Sequence, residues 1–274
     1  MIKKRINSLR EIFKNYGIDG YVIPKNDEFF SEFSNKDRLK FISNFTGSAG
    51  YAVILKDKNY LFVDGRYTIQ AKIESGKNFK IKDHSKIIDT EIFKKLNLGL
   101  DPRLFTSKQI KKFFLKNNQV SLINENLIDK IFKIKNKKKT PFYSIDDKIT
   151  GKSHKQKILK VSSYLKKNKI DYLFVTAPEN IAWLLNIRGH DNPNSPIPNC
   201  NLILSQDKKF YLIVEKSKTK KLLNEKKLKK KQIIDSKNIL DFFNKLKKGN
   251  IIIDETTCSI YLEKILKRKF DLKK

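Results

Sequence analysis

The chain has 274 residues, 39% of them hydrophobic, and a formal net charge of +31. Its length exceeds the roughly 100–150 residues of one ordinary domain, so two domains with separate cores are expected. Apolar mass of this order, with polarity supplied by lysine rather than by Pro, Ser and Gly, excludes a disordered chain.

The two cysteines, Cys200 and Cys258, stand far apart and in no ligand spacing. That excludes a disulfide framework and a zinc ribbon and points to a reducing compartment. The N-terminus is basic without a following apolar region, and no run approaches the ~18 apolar residues of a spanning helix. A cytoplasmic protein with no membrane partner is expected. The charge admits a nucleic-acid reading, but Arg supplies only seven of the 60 basic residues, and the bidentate fork that reads phosphates and bases is an arginine property. The lysines are spread over nearly every segment, alongside abundant Ile, Asn and Phe, so drift in an AT-rich genome accounts for the charge as well as a ligand does. No specific nucleic-acid partner is expected.

Apolar residues at Ile6, Leu9, Ile12, Phe13 and Tyr16 repeat at three and four, which predicts an amphipathic helix ending at Gly17. A buried strand follows at Gly20–Pro24. Beyond the loop Phe45–Gly50, the segments Tyr51–Leu55 and Tyr60–Asp64 flank a Lys-Asp-Lys-Asn turn and predict a hairpin. Tyr67–Glu74 reads as a helix stopped by Gly76; a strand at Leu98–Asp101 leads through Pro102 into a helix near Ser107. Alternating strands and helices predict a mixed α/β sheet. The basic stretch Lys133–Lys139 and Pro141 mark a boundary, giving a first domain over 1–140, a linker over 141–151 and a second domain over 152–274. The second half opens with another amphipathic helix (Ile158, Val161, Tyr164, Leu165) and the strand Ile170–Val175.

Landmarks then recur. Ile18-Asp19 returns as Ile170-Asp171, 152 residues later; the turn residue Asp57 returns as Asp207, 150 later; and the strand end at Asp101 returns at Asp254, 153 later. Three landmarks in one order at near-constant spacing indicate a duplicated domain. The first copy continues through Val120–Ile123 and Asn126–Ile131, whereas only 20 residues follow Asp254, so the second copy is expected to be truncated at its C-terminus.

The three histidines, His84, His154 and His190, lack the helical i, i+4 spacing of a metalloprotease, and Gly47–Gly50 fits neither a phosphate-binding loop nor a nucleophile elbow. No metal or catalytic residue is expected in this chain. Two corners carry more polar information than a fold needs: Asp64-Gly-Arg66-Tyr67, and Arg188-Gly-His190-Asp191 after an apolar helix containing Trp183. Arg66 and Arg188 either pair with the neighbouring carboxylates to fix loops or stand at a cleft, where a guanidinium holds a peptide carbonyl or carboxylate. On the second reading Asp64, Arg66, Tyr67, Arg188, His190 and Asp191 line a substrate cleft or a domain junction.

Phe41–Gly50, Val63–Ala71 and Gly99–Pro102 resemble the first domain of the long, cytosolic-type Xaa-Pro aminopeptidases of the creatinase-like metallopeptidase family. Asn180–Asp191 with Ser195-Pro196 resembles their second domain. The resemblance implies two related creatinase N-terminal-like (ribonuclease H-like) α/β domains, each a mixed sheet flanked by helices, without the pita-bread catalytic domain. In that family the missing domain holds two divalent metals, commonly manganese, through two Asp, one His and two Glu; a metal-bridging hydroxide attacks the amide before proline. The family's His-x-x-Gly-x-x-x-His-Asp/Glu segment is absent here. The expected function is therefore the non-catalytic front part of an enzyme acting on short peptides with proline second, shaping its cleft and contributing to homodimerisation, and the chain alone is expected to be inactive. Two alternatives stand beside it: a stand-alone module that binds peptides or another subunit, and a basic nucleic-acid-associated protein. A reading frame continuing beyond codon 274 into a two-Asp, His, two-Glu pattern separates the first reading from the module.

Overall fold

The computed structural model describes residues 1–31, 36–88, 92–115, 118–132 and 140–274. Its contacts divide the chain into two units, Met1–Asn136 and Lys137–Lys274. The basic stretch Lys133–Lys139 lies outside the described residues.

In the first unit, α1 (Ile2–Glu11) buries Ile2, Ile6 and Leu9 on one face, the spacing an amphipathic helix requires. A 3-10 turn, Phe13–Tyr16, follows and ends at Gly17, whose φ of 59° suits a residue without Cβ. Then come β1 (Gly20–Pro24), α2 (Arg38–Ser43), β2 (Gly50–Leu55), β3 (Asn59–Val63), α3 (Thr68–Ser75), β4 (Lys80–Asp83), β5 (Asn97–Leu100), α4 (Ser107–Phe113), β6 (Gln119–Leu122) and α5 (Leu127–Ile131). The six strands form one sheet in the order β4-β3-β2-β1-β5-β6. Strand β2 runs antiparallel to β1 and β3, and the pairs β3/β4, β1/β5 and β5/β6 are parallel. All five residues of β1 are buried, as a strand covered on both faces must be. Arg38 ties α2 to α5: its Nε donates to Asp129 Oδ1 at 3.0 Å and its Nη2 to Asp129 Oδ2 at 2.8 Å. A guanidinium so deeply buried is tolerable only in such a forked pair.

The second unit contains β7 (Tyr143–Ser144), α6 (Asp147–Thr150), α7 (His154–Lys167), β8 (Tyr172–Val175), α8 (Pro178–Leu185), β9 (Ile187–Arg188), β10 (Asn201–Ser205), β11 (Phe210–Val214), α9 (Lys220–Asn224), β12 (Ile233–Asp235), α10 (Ile239–Lys245), β13 (Asn250–Ile253), α11 (Ile260–Lys267) and β14 (Asp271–Lys273). Its main sheet has the order β12-β11-β10-β8-β13-β14. With β8 in the place of β1, both order and strand directions repeat those of the first unit. Alternation along β10 sends Leu202 and Leu204 into one core with Ile158, Leu165 and Leu185, and Ile203 into another with Phe174, Phe243 and Leu266. The sheet therefore has apolar layers on both faces.

The stretch 141–151, read as a linker, contains α6 and the strand β7, which pairs antiparallel with β9 inside the second unit. The second copy, expected to be truncated at its C-terminus, holds β14, which pairs parallel with β13 as β6 does with β5. Edge strands such as β14 and β4 escape sequence reading because charged residues occupy most of their few positions.

One device recurs at both sheet centres. The Asp19 amide donates to the Asn97 carbonyl at 2.8 Å, the Asn97 amide donates to Asp19 Oδ2 at 2.9 Å, and Asn97 Nδ2 donates to the Gly17 carbonyl at 2.8 Å. In the second unit Asp171 and Asn250 exchange the same two bonds at 3.0 and 2.8 Å, and Asn250 Nδ2 reaches the Lys169 carbonyl at 3.3 Å. Lys169 takes the place of Gly17 with a φ of 54°. The repeat detected at Ile18-Asp19 and Ile170-Asp171 is thus a repeated clamp. Replacing either aspartate by alanine is expected to cost about 1–3 kcal/mol, since two partners lose a charged acceptor, measured by denaturant unfolding. The bond from the Asn97 amide, then the one from Lys56, holds the Asp19 carboxyl below its ordinary range. A depressed carboxyl stabilises the fold above its unfolded value, so the Asp19 contribution should fade as pH falls from about 4. Asp19→Asn should flatten that part of the pH–stability curve.

Candidate functional site

Strands β1, β3, β4, β5 and β6 share one direction, so their carboxyl ends lie along one edge of the first sheet. Open α/β sheets present their ligand sites at that edge. Three carboxylates close the strands there, each accepting the backbone N–H two residues on: Asp64 from Arg66 at 3.0 Å, Asp83 from Ser85 at 2.9 Å and Asp101 from Arg103 at 3.0 Å. Asp235 and Asp254 do the same in the second unit, with Lys237 at 3.1 Å and Thr256 at 2.8 Å. Asp64 is therefore one example of a local turn that aspartate favours wherever a strand must end sharply.

The Arg66 Nε donates to Asp64 Oδ1 at 2.9 Å, and this pairing first, then the Arg66 amide, lowers the Asp64 carboxyl. The Arg66 side chain is 74% exposed, and its guanidinium lies 5.5 Å from the Tyr67 ring centre. Tyr67 turns inward. Its hydroxyl is 2.9 Å from Ser48 Oγ, and its ring meets Phe45 edge-on. Thr46 in the same loop donates its amide to Glu74 at 2.7 Å. The loop Phe45–Gly50 is thereby strapped to the turn before α3 and to α3 itself.

In the second unit the corresponding loop begins at Asn186, a left-handed helix cap with a φ of 53°, as Asn44 caps α2 with a φ of 64°. Arg188 is half-buried and donates Nη1 to the carbonyls of Ala182 at 3.1 Å and Ile187 at 2.9 Å. It thus binds backbone at the end of α8, with no carboxylate partner among the described residues. Gly189 has no room for a side chain: a Cβ there would stand 2.8 Å from the Phe142 ring. His190 is exposed and stacks on Tyr143 with ring centres 5.3 Å apart. Asp191 is buried; its Oδ1 accepts from Lys218 Nζ at 2.6 Å and its Oδ2 from the Asn199 amide at 2.8 Å.

Lys218 is the second unit's counterpart of Tyr67. Each precedes a threonine whose hydroxyl closes the turn, Thr68 on the Gly65 carbonyl at 3.1 Å and Thr219 on the Lys216 carbonyl at 2.8 Å. Each reaches back to the glycine loop after the helix-capping asparagine. The same strap is a hydroxyl pair in one unit and a buried ion pair in the other. Ser48, Tyr143 and Lys218 were not read from the sequence, because one lysine among so many carries no signal. Of the six residues singled out, Asp64, Arg66 and Tyr67 meet in the first unit. Arg188, His190 and Asp191 share a loop in the second but face three different partners.

These residues do not fit a two-metal centre. Among the described residues no three His, Cys, Asp or Glu side chains come together as metal ligands, and the strand-end carboxylates each face a backbone amide of their own. Both cysteines are buried, and burial pushes their thiols up, Cys258 to about 12. Neither is a nucleophile at neutral pH. No helix among the described residues is long and apolar enough to cross a membrane.

Comparison with known proteins agrees with this architecture. The Creatinase/Prolidase N-terminal domain matches twice, over residues 5–128 and 133–273. The chain belongs to the creatinase/prolidase N-terminal domain family. It is 34% identical over 240 residues to Xaa-Pro aminopeptidase 1 of Dictyostelium discoideum, covering 79% of this chain and 38% of that protein. It is 32% identical over 226 residues to a probable Xaa-Pro aminopeptidase P of Laccaria bicolor, covering 77% and 35%. The chain thus spans roughly a third of the length of these relatives. The X-prolyl aminopeptidase of Caenorhabditis elegans, described as a cytosolic enzyme with a di-nuclear active site, superposes with a TM-score of 0.84 at 22% identity, over 99% of this chain and 50% of that one. The resemblance and the α/β fold class read from the sequence are borne out.

The buried strap makes a sharp test. Asp191→Ala leaves the Lys218 ammonium buried without its counter-charge and is expected to cost about 3–5 kcal/mol. Asp191→Ala combined with Lys218→Met should recover most of that loss. Equal stability of the single and double variants in urea unfolding would show that the pair is not coupled.

Proposed function

We propose that this chain is the non-catalytic front part of a Xaa-Pro aminopeptidase, a cytoplasmic metallopeptidase that releases the N-terminal residue from short peptides with proline second. The observation that carries the reading is the tandem match: two family domains in order, at 30–34% identity to Xaa-Pro aminopeptidases along about a third of their length. In this reading the chemistry, with its two divalent metals, belongs to a domain outside these residues, and the two sheets shape the cleft. Arg66 is the best-placed contact for peptide, because its guanidinium is exposed at a carboxyl edge while Asp64 and Tyr67 hold its turn. Arg188 and Asp191 position a loop, and His190 with Tyr143 offers an exposed aromatic face. Self-association of the full enzyme through these domains is part of the proposal.

The pure 274-residue polypeptide should release no N-terminal residue from a peptide with proline second, with or without manganese, and chelator should leave its thermal midpoint unchanged. Turnover that co-purifies with the polypeptide, or a midpoint lowered by chelator, overturns the reading. In the full-length enzyme, Arg66→Ala should raise KM for short peptides by about tenfold, the loss of one charged contact, with kcat little changed. A fall in kcat alone would place Arg66 elsewhere.

A further inference from the structure

Away from these corners, the second unit holds an open depression of about 580 Å³, a volume that suits a small-molecule ligand. Its rim is built from three separate segments: His154 and Lys155 in the first turn of α7, Lys208 in the turn between β10 and β11, and Lys226, Lys227 and Lys229 after α9. Ile158, Leu159 and Phe210 form an apolar wall, and no Asp or Glu among the described residues lines the space. The 14-residue α7 has no acidic residue in its first turn, so the positive end of its dipole adds to the lysine field.

Lysine is abundant on the whole surface, so number alone decides nothing. Pairing and burial decide. Lys227 has only 11% of its side chain exposed, and the Asp147 carboxylate stands 3.9 Å away while also accepting from Asn186 Nδ2 at 2.9 Å. Burial lowers the Lys227 ammonium, against the weaker pull of Asp147 and Glu225. Lys155, Lys208, Lys226 and Lys229 form no ion pair among the described residues. His154 Nδ1 is buried without a hydrogen-bond partner. Burial first, then the Lys227 charge, brings that imidazole down to about 4, so at neutral pH it stands uncharged beside the lysines. Lys208 and Lys226 adopt φ of 65° and 52°, conformations uncommon for residues with a Cβ.

We infer that this depression binds a small organic phosphate, a multiply charged phosphate ester whose apolar or aromatic body rests against Phe210, Leu159 and Ile158. Lysines brought to one depression from three segments match several negative oxygens on one group, and lysine serves as a point-charge phosphate partner. A monovalent carboxylate leaves most of them uncompensated. The inference is independent of the aminopeptidase reading.

Calorimetric titration of the 274-residue chain at physiological salt, with ATP, inorganic tripolyphosphate and adenosine as probes, tests it. ATP should bind measurably, tripolyphosphate more weakly and adenosine not at all. Lys229→Ala and Lys227→Met should each weaken ATP by about tenfold, while Lys264→Ala, equal in charge change but on α11 outside the depression, stays within about twofold of the parent. Lys229 is exposed, so its variant keeps the test valid if Lys227→Met fails to fold. Equal losses in all variants would mean diffuse attraction to a basic surface and overturn the site. So would absence of ATP binding, and tripolyphosphate binding as tightly as ATP would overturn the role of the apolar wall.

Discussion

The bond exchanged between Asp19 and Asn97, and again between Asp171 and Asn250, sets the register on which each unit is built. Parallel strands cannot be aligned by a hairpin, and here the paired residues are 78 and 79 positions apart. A slip of one residue would turn Leu98 and Leu100, or Ile251 and Ile253, away from their cores. The aspartate removes that freedom because its carboxylate and its own backbone amide engage the same asparagine. Strands β1 and β8 lie inside their sheets, so their alignment to β5 and β13 fixes the two halves of each sheet against each other.

From that register follows the edge where the strands end. Short aspartate-capped turns there leave little freedom to the residues they carry, which is how Arg66 remains exposed while Tyr67 points inward. The straps that tie the glycine loops to this edge share one geometry and differ in chemistry. A hydroxyl pair costs little if lost, whereas the Lys218–Asp191 pair is buried, so the ammonium depends on its carboxylate. The two copies have diverged in how tightly a loop is held.

The large positive charge divides on the same physical ground. Exposed lysines are solvated and screened within about 8–10 Å at ordinary salt, and most of this surface is of that kind. The depression beside α7 differs because several lysines line it together, one ammonium there is desolvated and one imidazole nitrogen is left without a partner. A uniform surface field attracts anions loosely; charges gathered around one depression, one of them desolvated, discriminate among them.

Much of the architecture was legible in the amino-acid order. Apolar spacing located α1, β1, the β2–β3 hairpin and α7, because burial on one face or two leaves a periodic trace, and the aspartate landmarks exposed the duplication, Asp19 and Asp171 because the clamp requires that side chain and Asp101 and Asp254 because each closes a strand-end turn. Charged edge strands such as β4 and β14 left no trace, since their pairing is by backbone alone. The candidate residues divided similarly. Asp64 and Arg66 pair within two positions of each other and could be read locally, whereas for Arg188 the sequence left a carboxylate partner and a cleft both open, and the fold shows it donating to carbonyls at the end of α8. Asp191 and Lys218 are 27 residues apart, and only the folded sheet brings them together. Local propensity and periodicity are properties of neighbours in the chain; which lysine is buried, paired or left to face a ligand is decided by neighbours in space.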